Sequence, residues 1–96
     1  MIEIRLSTES SDNTLISFDG RVLEFFSIIS RHTTRIHVFE IANIEIVVDK
    51  HGRCSLNVNS KYVNELILGG QTVRSEVLPE TQALVAAVRQ AMALYP

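Results

Sequence analysis

A small β-barrel or sandwich closed by one C-terminal helix is the fold the sequence predicts, and three observations predict it. Apolar residues alternate with polar ones through several short runs before residue 78. Asp-Gly and Gly-Gly pairs punctuate those runs where hairpin turns would fall. Only the last stretch, Pro79 to Tyr95, changes to a helical period. A lone amphipathic helix after a run of strands must bury its stripe, and the open face of a sheet is the surface at hand.

The bulk properties agree with one folded unit spanning residues 1–96. A chain of 96 residues that is 46% apolar and 21% charged has enough apolar surface for a single core. The formal charge of −2 argues against a nucleic-acid binder relying on a basic field. Cys54 is alone, which rules out an intrachain disulfide and fits a reducing compartment. Met1 to Ile4 lack the basic start and apolar run of a signal peptide, and no apolar segment approaches the ~20 residues of a membrane span. A cytoplasmic protein with no membrane-spanning segment is expected.

The elements follow in order. Ile2, Ile4 and Leu6 alternate with Glu3 and Arg5, the period of a half-buried strand. Residues 7–13 are turn formers, so 1–13 reads as an N-terminal strand and polar lead-in, added at a sheet edge or used in an oligomer contact. Thr14 to Phe18, Asp19-Gly20 and Arg21 to Ile29 read as a hairpin with a two-residue type I′ turn. That turn predicts Phe18 opposite Arg21, Ile16 opposite Leu23 and Thr14 opposite Phe25. Ile16, Phe18, Leu23 and Phe25 then share one face.

Ser30 to Thr34 interrupt the apolar run. Ile36, Val38, Ile41, Ile44, Ile46 and Val48 follow, and the spacing slips from two to three near Glu40, which predicts a bend around 39–43. Lys50-His51-Gly52 makes a turn, and Cys54, Leu56 and Val58 alternate with Ser55, Asn57 and Asn59. Gly69-Gly70 reads as a second hairpin turn, setting Leu66 opposite Val73 and Glu65 opposite Arg74. The expected count is seven strands from residue 14 onward.

The helix closes the chain. Pro79 suits a first helical position, and Glu80 suits the positive end of the helix dipole. Leu84, Val88, Ala91 and Tyr95 recur at i, i+4, i+7 and i+11, with Val85 and Met92 widening the stripe. Gln82, Ala86, Arg89, Gln90 and Ala93 lie largely on the other side.

Ile16 to Gly20, the spacing of Ile36, Val38, Ile41 and Ile44, and the Leu84, Val85 and Val88 helix together resemble a bacterial pleckstrin-homology-like (PH-like) domain. The resemblance covers roughly residues 14 to 94. It implies seven antiparallel strands in two near-orthogonal sheets, capped by the C-terminal α-helix at 79–95. It also implies a binding or assembly module rather than an enzyme, with homo-oligomers among the bacterial members. Lipid-binding members carry several Lys and Arg around a longer first hairpin loop. Here that loop is taken as Asp19-Gly20, with Arg21 beside it and Asp19 and Glu24 acidic.

Chemistry-bearing residues are sparse in pattern. His51 and Cys54 stand three apart across a turn, but nothing nearby in sequence completes a metal site. No nucleophile context surrounds any Ser or Cys, and the carboxylates Glu40, Glu45, Asp12 and Asp19 have no flanking pattern that would raise a pKa. Gly69-Gly70 lacks the following Lys and helix of a phosphate loop. Phe25, Phe26 and Phe39 lack the interleaved basic residues of a nucleic-acid platform, so core packing explains them better. No catalytic residue, metal or cofactor is expected.

One cluster stands out. In an up-and-down meander, the turns after the second and fourth strands project from the same end. That would bring Arg31, His32 and Arg35 near Lys50, His51 and Arg53, an end suited to phosphate groups or an acidic partner. The leading expectation is a non-catalytic intracellular module that binds a protein partner or its own copies, through the strand at residues 2–6 or through a groove between a sheet edge and the helix where an extended peptide can add as a strand. The alternative is peripheral binding of anionic lipid or phosphate ligands through that basic end.

Overall fold

The computed structural model describes residues 2–5, 14–27, 32–62, 66–73 and 75–94. Among these the chain forms seven strands, then one α-helix: β1 (Ile2–Arg5), β2 (Thr14–Phe18), β3 (Val22–Ser27), β4 (His32–His37), β5 (Ile41–Val48), β6 (Cys54–Ser60), β7 (Leu66–Val73) and α1 (Leu78–Leu94). They make two antiparallel sheets, β1-β2-β3-β4 and β5-β6-β7, with the helix last. The mainly-β fold with a terminal helix is as the sequence predicts.

The seven strands are not the seven expected. The segment at residues 2–5 joins the first sheet at its edge, pairing Ile2 with Phe18 and Ile4 with Ile16. The expected hairpin at Gly69-Gly70 is absent, because both glycines lie inside the single strand β7. Its pairing with β6 runs from Cys54↔Val73 to Asn59↔Leu66, with irregularities between Leu56 and Val58 and between Val58 and Asn59. Gln71 faces Leu56 and Leu68 faces Val58, so β7 carries an extra residue where the two glycines sit. Glycine inside a strand commonly marks such a bulge. The expected facing of Leu66 with Val73 is thereby replaced. Glu65 and Arg74 lie outside the described residues.

The β2–β3 hairpin forms, with its turn moved by one residue. Phe18 pairs with Leu23, Ile16 with Phe25 and Thr14 with Ser27, a shift of two from the expected register. The turn centres on Gly20 and Arg21, with the Asp19 N–H donating to the Val22 carbonyl at 3.3 Å. Side chains in a strand alternate faces with period two, so a slip of two leaves each residue on its predicted side. Ile16, Phe18, Leu23 and Phe25 are accordingly all buried.

The slip in apolar spacing near Glu40 is a short 3-10 turn, Val38–Glu40, followed by a bulge between Ile41 and Asn43. His37 caps that turn: its Nδ1 accepts the Phe39 N–H at 3.3 Å, and the two rings meet at a tilt of 43° with centroids 4.4 Å apart. Val38 ties back to the β2–β3 turn by donating to the Arg21 carbonyl at 2.8 Å. The chain thus turns from one sheet into the other while Val38 and Ile41 stay buried.

A second 3-10 turn, Ser75–Val77, leads into α1, where the Thr81 hydroxyl donates to the Val77 carbonyl at 2.7 Å. Leu84, Val85, Val88 and Ala91 bury against Ile41 and Ile44 of β5, Leu56 and Val58 of β6, and the inner face of the first sheet in one continuous core. Burying each large aliphatic side chain contributes about 1.5–3 kcal/mol. The described helix begins at Leu78, one residue before the predicted start, and Tyr95 lies outside the described residues.

Candidate functional site: the groove between β5 and the helix

Of the basic residues singled out in the sequence, the described ones lie on two elements, Arg35 on β4 and Lys50, His51 and Arg53 on the turn between β5 and β6. Arg31 and the side chain of His32 lie outside the described residues. Arg35, on β4, pairs with Glu24 on β3 at 3.0 Å, with the Arg35 side chain largely open to solvent and that of Glu24 half-buried. Around that pair, a shallow surface hollow is lined also by Glu3, Ser17, Asp19 and Val22. The surroundings of Arg35 are therefore acidic.

Lys50, His51 and Arg53 ride on the β5–β6 turn of the other sheet, all exposed. Asp49 holds that turn together: its Oδ1 accepts the His51 and Arg53 N–H groups at 2.8 and 2.9 Å. Gly52 supplies the positive φ of 78° that the turn requires. Among the described residues no hydrogen bond or ion pair joins Arg35 to this turn.

β1 and β2 form a hairpin that precedes β2–β3 in the chain, and residues 6–13 lie between these two strands. Those residues lie outside the described ones, and their sequence holds Glu9 and Asp12 with no Lys or Arg.

A different feature emerges where β5 meets α1. A groove of 380 Å³ opens between them, lined by Ile46 and Val48 of β5, Cys54 of β6, and Leu78, Gln82, Val85, Ala86 and Arg89 of α1. Its origin is local. β5 is the outer strand of its sheet, so one of its backbone edges has no neighbouring strand among the described residues. Ile44, Ile46 and Val48 alternate onto one face; Ile44 is buried beneath the helix, whereas Val48 is 62% exposed. The helix therefore covers one end of this row and leaves the other open. On the helix, Leu78, Gln82, Val85 and Arg89 stand at i, i+4, i+7 and i+11, a second stripe beside the core stripe.

Arg89 spans the groove's closed end. Its Nε and Nη2 both donate to the Ile44 carbonyl, at 3.1 and 2.8 Å. That carbonyl points away from β6, and antiparallel ladders alternate inward and outward pairs. Ile46 and Val48 consequently turn their N–H and C=O groups to the same open edge. The sequence reading expects a groove between a sheet edge and the helix, but it sets Arg89 on the other side of the helix and does not include it in that groove. The available signal was its position four after Val85, where a long stem can lie along apolar surface and carry its head to a polar partner.

Comparison with family models, curated proteins and solved structures finds no match to this chain. No described helix is long and apolar enough to cross a membrane. Among the described residues no three His, Cys, Asp or Glu side chains gather as a metal site would need.

Proposed function

We propose that this chain is a non-catalytic, intracellular interaction module of the PH-like type that binds an extended protein segment as an added strand on β5. The observation that carries this reading is the open edge of β5 beside an apolar groove. Exposed strand edges present unpaired N–H and C=O groups that template pairing with another chain. The partition of β1–β4 and β5–β7 into two sheets, with the helix last, supports the PH-like assignment. The lone Cys54 supports a reducing, cytoplasmic setting.

In this arrangement main-chain bonds to Ile46 and Val48 supply affinity, and side chains of the added strand fill the space between Val85 and Cys54. The same surface serves a second copy of the chain if the added strand is its own. Amide hydrogen exchange tests the reading. The Ile46 and Val48 amides should exchange fast in the free protein and become protected when a pool of extended apolar-polar peptides is added. Protection that appears elsewhere, or nowhere, would refute strand addition. Sedimentation of the free protein separates the two occupants, since self-pairing gives a dimer whose fraction rises with concentration.

A second reading keeps one observation in its favour. Lys50, His51 and Arg53 are exposed on a turn whose one carboxylate, Asp49, is bonded to backbone amides. Such a turn suits an anionic lipid or phosphate ligand. Cosedimentation with phosphatidylserine vesicles that survives physiological salt, and is lost in a Lys50→Glu/Arg53→Glu variant, would support it.

A further inference from the structure

The groove has a charged end, and no other described lining residue answers its charge. A guanidinium carries five N–H donors. Bonding of Nε and Nη2 to the Ile44 carbonyl uses one hydrogen from each, which leaves both hydrogens of Nη1 and the second of Nη2. Among the described residues no carboxylate pairs with Arg89, and none lines the groove. Its other lining groups are apolar apart from Gln82 and Cys54. Arg89 is itself exposed, so its spare donors are within reach of an incoming group.

The strand geometry says where such a group would arrive. Ile44 marks the limit of the free edge, because Arg89 already occupies its carbonyl. A strand pairing with Val48 and Ile46 antiparallel to β5 therefore runs its C-terminal end toward Arg89. We propose that the occupant of the groove is an extended peptide bearing a carboxylate at that end, held by the spare N–H donors of Arg89. Parallel N–H groups of a guanidinium match the two oxygens of a carboxylate better than any neutral group. The proposal rests on the strand-addition reading above. It adds the chemical class of partner: an acidic side chain or a chain terminus, which share the same anion.

Synthetic N-acetylated peptides of about six residues, a usual strand length, alternating valine and serine, are the probes. Three forms separate the sources: a C-terminal Glu with an amidated end, a C-terminal Gln with a free end, and a C-terminal Gln with an amidated end. Affinity and amide shifts of the labelled protein are read for each. One of the two carboxylate forms, or both, should bind about tenfold or more tightly than the uncharged form, the size of a charge-assisted hydrogen bond. The preferred form identifies the source.

In an Arg89→Gln variant the advantage should vanish while the uncharged peptide still binds. If that variant does not fold, the peptide series on the unaltered protein, read at the Arg89 Nε resonance, decides alone. Equal affinity for all three forms with shifts at residues 44–48 and 82–89 would overturn the carboxylate preference and leave strand addition standing. Absence of shifts in the groove with every form would overturn both. Shifts confined to residues 49–53 would assign the anion to the basic turn instead of Arg89.

Discussion

Asp19 closes the β2–β3 turn with its side chain, its Oδ1 accepting the N–H groups of Arg21 and Val22 at 2.9 and 2.8 Å. The bond from Val22, then that from Arg21, holds the Asp19 carboxyl below the ordinary aspartate range, and the charge of Arg35 acts in the same direction. A carboxyl lowered in the folded state stabilises above its unfolded pKa, and that stabilisation is lost as pH falls through the folded value. Asp19→Ala should therefore lower the thermal midpoint near neutral pH and have a smaller effect near pH 2; an equal loss at both would deny the carboxylate its role. Gly20 sits at a φ of 103°, with nothing near the position of an added Cβ. Gly20→Ala should thus cost about 1–2 kcal/mol in urea unfolding, through backbone strain alone. The dipeptide Asp19-Gly20 announced a turn but not its centre. An aspartate that replaces a backbone partner with its own carboxylate and one that sits inside a type I′ turn look alike in sequence.

At the scale of elements, α1 is the part most dependent on burial. Leu84 is fully buried in the core, so Leu84→Ala should lose about 2–5 kcal/mol of unfolding free energy. Gln90→Ala, on the solvent face, should stay within about 0.5 kcal/mol, and a comparable loss there would mean the helix packs differently. The helix was legible because Leu84, Val88 and Ala91 keep a helical period that no strand would produce. The strands were legible as alternation, and Ile16, Phe18, Leu23 and Phe25 fell on the predicted face even though their partners were shifted. β7 was misread because paired glycines serve a tight hairpin and a bulged strand equally well, and only the β6 register distinguishes them. The bend near Glu40 was visible as a slip in spacing, but its capping by His37 depends on a rotamer that spacing does not encode.

For the molecule as a whole, the groove depends on which strand ends up outermost. Its lining runs from Ile46 to Arg89, and the order β5-β6-β7 that makes β5 an edge is a property of sheet assembly, which local periodicity does not carry. The basic residues were visible as a list, and their partners were not: Arg35 meets Glu24 across β3 and β4, and Lys50, His51 and Arg53 sit on a turn organised by Asp49. An occupant of the groove should slow alkylation of Cys54 by iodoacetamide and raise stability by about 2.7 kcal/mol at a hundredfold excess over its Kd. Unchanged alkylation at saturation would place the occupant elsewhere. The bond from Arg89 to Ile44 also joins residues 45 apart in the chain. During synthesis at roughly 5–20 residues per second, β5 emerges about 2–9 s before the arginine that caps it. Throughout that interval the Ile44 carbonyl waits without its arginine, so the limit that Arg89 sets on the open edge of β5 is fixed only when the last element of the chain has been made.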